Sequence, residues 1–360
     1  MLKPLTSFRF FAALMVFMWH IGFLEKFQLG PVGVSFFFVL SGFILAANYH
    51  SKIEKLNTGN IKRFYIARLA KIYPVHVLTF FLATPLVLIG FHPKNLYLIK
   101  LGVISAINLF LLQSYIPGYT LDFNLVSWSL SAELLFYLLC PFIIWIFMKM
   151  KIKSTPKAVS LLTLVWLVAV YATIFSPISD IHLSWWFYNV FPFFRVLDFI
   201  SGILLGLTYV YQTKRSTLKS STFSVIEISA LILLVVWIFL SPNITQTLRY
   251  SVYYIPVWCL LIYTFAFQRG VFSKAFSNSR LVYLGEISFS FYMVHDLVIR
   301  YLDFFVLGSV SRAFIAFVIS ISLSAVIYTY FEEPLRKRIR FGITTRRETI
   351  KSNAMPNPNA

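Results

Sequence analysis

Residues 5–24 read LTSFRFFAALMVFMWHIGFL. The run is apolar and has the length, about 20 residues, that a helix needs to cross a hydrocarbon core of roughly 30 Å. Yet it keeps an arginine at position 9 and a histidine at position 20. A central arginine costs roughly 2.5–3.5 kcal/mol on insertion scales, so a run that retains one calls for a partner or a function. The same two residues break the core of any signal peptide, and no small-residue cleavage site follows them. The run reads as a retained first helix.

The rest of the chain repeats the pattern. Composition is 59% hydrophobic and 12% charged, with a mean hydropathy of +0.77. A soluble domain of 360 residues could not hide that much apolar surface. Apolar stretches fall at about 5–24, 29–49, 72–92, 98–116, 126–148, 158–176, 186–211, 223–241, 250–267, 283–305 and 312–333. The expected fold is all-α and polytopic, one membrane domain over 1–340 followed by a polar, disordered cytoplasmic tail at 341–360. Cys140 and Cys259 lie in apolar segments and suggest neither a disulfide framework nor a metal site.

Charge orders the spans. Lysine and arginine cluster at 52–71, 149–157, 214–219, 269–280 and from Arg336 onward. Short basic loops stay cytoplasmic. If all eleven stretches crossed, the clusters after 148 would lie opposite the 52–71 cluster. The fourth stretch is the weakest, carrying Lys100, Asn108 and Gln113. If 98–116 is re-entrant or interfacial, every cluster falls on one side. Only Lys26, Lys94, Lys100, Arg249 and Arg312 are then left outside. The expectation is about ten transmembrane helices in the plasma (inner) membrane, with both termini cytoplasmic. The formal charge of +19 is then a topology signal and does not call for nucleic acid.

Polar residues at depth mark the candidate site. Arg9 and His20 are eleven residues apart, within about 20° on one helix face and about 16 Å along it. Ser129, Glu133 and Tyr137 repeat at i, i+4, i+8, a polar stripe with Glu133 in the outer half. Ser288, Tyr292 and His295 share another face, with Asp296 a quarter-turn away. Arg195 and Asp198 are spaced to pair with each other. Arg68 and Lys71, at the start of the third stretch, are placed to hold a phosphate. Gly33 and Gly42 suit close helix packing.

Together these residues suggest a polar tunnel. Its inner mouth is basic and fits a multiply charged phosphate ligand. Its outer half offers a histidine and a carboxylate, the pairing of a general base with its orienter. The sequence has no glycine-rich phosphate loop and no HExxH signature.

Five ordered segments resemble the acyltransferase-3 family of integral membrane acyltransferases, over about residues 4–340. Arg9 and His20 match its arginine, ten residues, histidine spacing. GVSFFFVLSGFIL resembles its phenylalanine-rich second helix. RLAKIYPVH is similar to its RxxRIYP segment, with Lys71 where arginine is common. SWSLSAELLFYLLCP and ISFSFYMVHDLV resemble its WSLSxExxFY and SxYxxH segments.

The resemblance implies an O-acyltransferase. It would move an acetyl group from acetyl-CoA, or an acyl group from another acyl-CoA, to a hydroxyl of a cell-surface polysaccharide or lipid-linked sugar. It implies His20 as the base and Glu133 as the group that orients the imidazole or holds the acceptor. Arg9, Arg68 and Lys71 would bind the CoA phosphates, and Ser41, Tyr73, Trp128 and His295 would shape the cavity or help with substrate. No metal is implied. Some members carry an extra hydrolase-like domain; read as a stand-alone version, this chain would transfer directly within its membrane domain. Two other classes use similar intramembrane charges. A transporter or flippase of sugar-lipids would show repeats and paired broken helices. A non-catalytic subunit of a polysaccharide assembly complex would need His20 only for folding.

Overall fold

The computed structural model of the chain describes residues 2–53, 56–89, 95–152, 155–213, 219–306 and 308–340, with backbone only at 95–97 and 155. The expected tail at 341–360 lies outside the described residues. Each of the eleven apolar stretches holds a helix. In order they begin with α1 (Lys3–His20), α2 (Leu29–Ile53), α3 (Thr58–Ile89) and α4 (Asn95–Leu109). After an irregular segment come α5 (Trp128–Lys149), α6 (Thr155–Ile174) and the short α7 (Ile181–Trp185). α7 passes through a π turn at Trp186–Val190 into α8 (Pro192–Gln212). Then follow α9 (Ser220–Leu240), α10 (Gln246–Arg249), α11 (Ile255–Ala266), α12 (Val271–Phe276), α13 (Ser279–Leu302) and α14 (Ser309–Ile327). A second π turn, Tyr328–Glu332, extends α14 into a helix that reaches Arg340.

Eight of these helical stretches are long and apolar enough to cross a membrane. The chain is an all-α polytopic membrane protein. α1, with 18 residues, and the shorter stretch Val252–Ala266 are the other two candidates for the ten spans. α4 has 15 residues, about 22 Å of helix, too short for a core of roughly 30 Å. The chain beyond it folds back into the protein as irregular backbone at 110–127. Gln113, Ser114, Asn124 and Ser127 are buried there, as is Asn108 at the end of α4. Gln113 Nε2 donates to the Ser127 carbonyl at 3.1 Å, Ser114 Oγ to the Trp128 carbonyl at 2.7 Å and Ser131 Oγ to the Leu111 carbonyl at 2.6 Å. Such backbone survives at depth only when protein satisfies it in this way.

Packing direction supports the same reading. α2 lies along α8 with Ser35 beside Asp198, Val39 beside Gly202 and Phe43 beside Gly206. Numbers rise together, so the two helices run the same way. An odd number of crossings must then separate them. α3, α5 and α6 supply three, and counting α4 would make four. α1 and α13 also run parallel, with Thr6 beside Gly285, Phe10 beside Phe291 and His20 beside His295. Parallel neighbours are compatible with ten crossings and not with eleven. A cysteine placed at Lys149 should therefore label from the side that holds the N-terminus; labelling from the opposite side would overturn this topology.

Small residues set these crossings. A Cβ on Gly42 would lie 2.1 Å from the Phe199 carbonyl oxygen, and one on Gly202 would lie 2.0 Å from that of Val39. Backbone meets backbone, so neither side chain nor rotamer can yield. Gly202→Val should cost at least about 1–3 kcal/mol through overpacking, visible as a lower thermal midpoint in detergent. An unchanged midpoint would mean that α2 and α8 do not pack at this distance. Arg195 and Asp198 pair at 3.4 Å, fully buried beneath this crossing. Asp198 also accepts from Ser35 at 2.5 Å and Ser251 at 2.6 Å, so this intramembrane charge is absorbed by structure.

Candidate active site

α1, α2, α3, α5 and α13 surround a cavity. α1 contributes Arg9, α2 Ser41, α3 Arg68 and Lys71, α5 Ser129, Glu133 and Tyr137, and α13 Tyr292. Apolar residues such as Phe37, Leu45 and Phe289 line the rest. Glu133 Oε2 accepts from the Tyr137 hydroxyl at 2.9 Å. The Arg68 guanidinium sits over the Tyr49 ring, 5.6 Å from its centroid. Glu332, at the end of the second π turn, accepts from Ser290 at 2.7 Å and faces Arg9 and Lys71. Three cations therefore face two carboxylates in a mostly apolar chamber, an excess of one formal positive charge. Among the described residues, no hydrogen bond or ion pair engages the Arg9 guanidinium or the Lys71 ammonium. Their donors are available to an anion.

The polar path continues outward along α1 and α13. Tyr292 donates to Ser129 Oγ at 2.9 Å and touches the His295 ring, 5.9 Å between centroids. His295 Nε2 lies 3.0 Å from His20 Nδ1, which also lies 2.9 Å from the Val16 carbonyl oxygen. His295 is fully buried, whereas His20 is half-buried at the end of α1. Asp296 lies close enough to act on the His20 imidazole. One face of α1 thus joins a basic chamber at Arg9 to a half-open histidine at His20.

A family model described as an acyltransferase domain matches residues 5–329. This chain belongs to the acyltransferase-3 family. It is 29% identical to the acyltransferase MdmB of Streptomyces mycarofaciens over 330 residues, 83% of this chain and 79% of that protein. It is 24% identical to the peptidoglycan O-acetyltransferase OatA of Listeria monocytogenes over 357 residues, 92% of this chain and 55% of that protein. The chain thus spans about half the length of OatA. No solved structure matches. Membership decides for an enzyme over the transporter and assembly-subunit readings: the protein is a membrane acyltransferase.

The acyltransferase gathers most of the residues marked by its sequence, with corrections in placement. Arg9, Ser41, Arg68, Lys71 and Glu133 share the chamber. Glu133 does not orient the His20 imidazole: among the described residues, the ring's partners are Val16 and His295. Nor does Glu133 sit in the outer half. α5 begins beside Tyr292, midway along α13, because the buried 110–127 segment starts the helix at depth. Tyr73 and Trp128 do not line the chamber. Tyr73 is two residues from Lys71, about 200° around α3, and packs against His76. The Trp128 ring packs edge-on to Phe38.

Glu332 is not marked by the sequence pattern. FEEPLRKRIR reads as a polar helix end. Pro334 is the available signal, since a proline ring clashes with the carbonyl four residues back, here Tyr330. The helix widens through Tyr328–Glu332 and turns Glu332 inward, where it is 2% exposed. Such π turns occur often at functional sites.

Proposed function

We propose that this acyltransferase moves an acetyl group from acetyl-CoA to a hydroxyl of a cell-surface carbohydrate or lipid-linked sugar. The observation that carries the reading is that α1 sets Arg9 in the basic chamber and His20 at its half-open end, with Tyr292 lining the chamber and touching His295 beside His20. Arg9, Arg68 and Lys71 hold the CoA phosphates at its inner end, and Glu133 and Glu332 keep those cations in place. Arg9 and His20 are about 16 Å apart along α1, a span that an extended pantetheine arm covers. The thioester then reaches His20, and the acceptor sugar enters from the half-open end of α1. His20 takes the proton of the acceptor hydroxyl as its oxygen attacks the thioester carbonyl carbon. The C–S bond breaks, the new C–O ester bond remains, and the proton passes from His20 to the leaving CoA thiolate. The termini are cytoplasmic and the membrane is the plasma (inner) membrane, which puts the chamber on the acetyl-CoA side.

The similarity to the O-acetyltransferase OatA supports an O-acetyl product. Mass spectrometry of surface glycans from cells with and without the gene tests the reading. One acetyl group lost with the gene, and restored with it, is the expected result. Identical glycan masses, together with no hydrolysis or transfer of labelled acetyl-CoA by the purified protein, would overturn it.

A further inference from the structure

The His20–His295 contact fixes where the protons sit. His295 Nδ1 lies 2.7 Å from the Tyr292 carbonyl oxygen and 3.2 Å from that of Phe291. Carbonyl oxygens only accept, so Nδ1 of His295 carries its proton. In the neutral ring, Nε2 of His295 then presents a lone pair. That lone pair faces His20 Nδ1 at 3.0 Å. His20 Nδ1 also faces the Val16 carbonyl oxygen at 2.9 Å, so both of its neighbours are acceptors. The His20 proton therefore sits on Nδ1, and the lone pair is left on Nε2.

We infer that His295 is a positioning residue that holds His20 in the tautomer and orientation with Nε2 as the basic nitrogen, and that stabilises the imidazolium formed when His20 takes the acceptor proton. This rests on the proposed role of His20 as base. It also separates the two histidines. His295 is 0% exposed and both of its nitrogens have partners in the protein, so it cannot reach a substrate. Among the described residues His20 Nε2 has no hydrogen-bond partner, and it sits at the half-open end of α1. A histidine thus fills the place that a carboxylate holds in a serine–histidine–aspartate triad. The other charges near the pair are Asp296 and Arg300, 3.9 Å from each other, and neither is altered by changes at position 295.

Two variants test this. In His295→Gln, the side-chain carbonyl oxygen can take the place of Nε2 as acceptor; in His295→Leu only the backbone carbonyl of Val16 is left facing Nδ1. The expected result is a kcat within about fivefold of wild type for Gln and lower by about 10- to 100-fold for Leu, the range for one hydrogen bond to a group that becomes charged. KM for acetyl-CoA should not move in either. Equal kcat in Gln and Leu, or a matching rise in KM, would overturn the inference. A second readout needs no acyl donor. Diethyl pyrocarbonate acylates unprotonated imidazole nitrogen, and the His20 peptide can be followed by mass spectrometry. His20 should react at like rates in wild type and Gln and more slowly in Leu. Equal rates in all three would also overturn it. If the reagent shows the expected order while the wild type transfers no acetyl group, the pairing stands and the donor reading fails instead.

Discussion

His20→Gln should abolish most acyl transfer, by at least about 10²-fold, while acyl-CoA binding and thermal stability stay near wild type. Glutamine preserves polarity at the end of α1 but cannot accept the hydroxyl proton. The loss should therefore fall on kcat, with substrate binding little changed. Binding should survive because the residues proposed to hold the CoA phosphates, Arg9, Arg68 and Lys71, line the chamber, whereas His20 does not. His20→Gln combined with His295→Leu should be little worse than His20→Gln alone, since parts of one catalytic unit are not additive. A folded His20→Gln protein that still transfers at near wild-type rate would remove His20 from the chemistry. Isothermal titration with a non-hydrolysable acyl-CoA analogue, beside a single-turnover transfer assay, separates these outcomes.

Lys71→Met should weaken acyl-CoA binding by about ten- to a hundredfold, the equivalent of one charge-assisted contact worth about 1.5–3 kcal/mol. Methionine keeps the length and apolar stem and removes only the charge. The chamber then loses its excess of positive charge, because Arg9 and Arg68 are the cations left in its lining against Glu133 and Glu332, while nearby Arg336 is paired with Glu333. An anionic ligand would enter with no uncompensated cation to meet it. Truncated donors make the test specific: an acyl-pantetheine without phosphates should bind wild type and Lys71→Met alike. Equal affinity of both proteins for intact acyl-CoA would assign Lys71 to topology alone.

Much of the fold was legible because the membrane imposes it. Hydrocarbon leaves a spanning backbone no alternative to helix, so apolar length located the helices of the eleven apolar stretches, though not the short α7, α10 and α12. The basic clusters excluded 98–116 from crossing because of a rule about loop charge, and α4 proved too short to cross. Arg9 and His20 could be placed on one face of α1 from helical periodicity alone. The Arg195–Asp198 pair was equally local, a matter of three residues on one helix.

What the sequence could not supply were distances between helices. The partner of His20 lies 275 residues away on α13, where α1 can approach only because Gly285 leaves no Cβ in the way. Counting each residue from the membrane surface puts Glu133 and His20 in the same outer half. α5 in fact starts at depth, behind buried backbone that hydropathy does not register. Glu332 comes to face Arg9 and Lys71 through a widened turn ahead of Pro334, which no periodic count anticipates. The sequence by itself determined the apolar helices and the types of charge carried into the membrane, because each depends on neighbours in the chain. Which charge meets which depended on helix crossings set by backbone contact at glycines, and only the tertiary structure decided that.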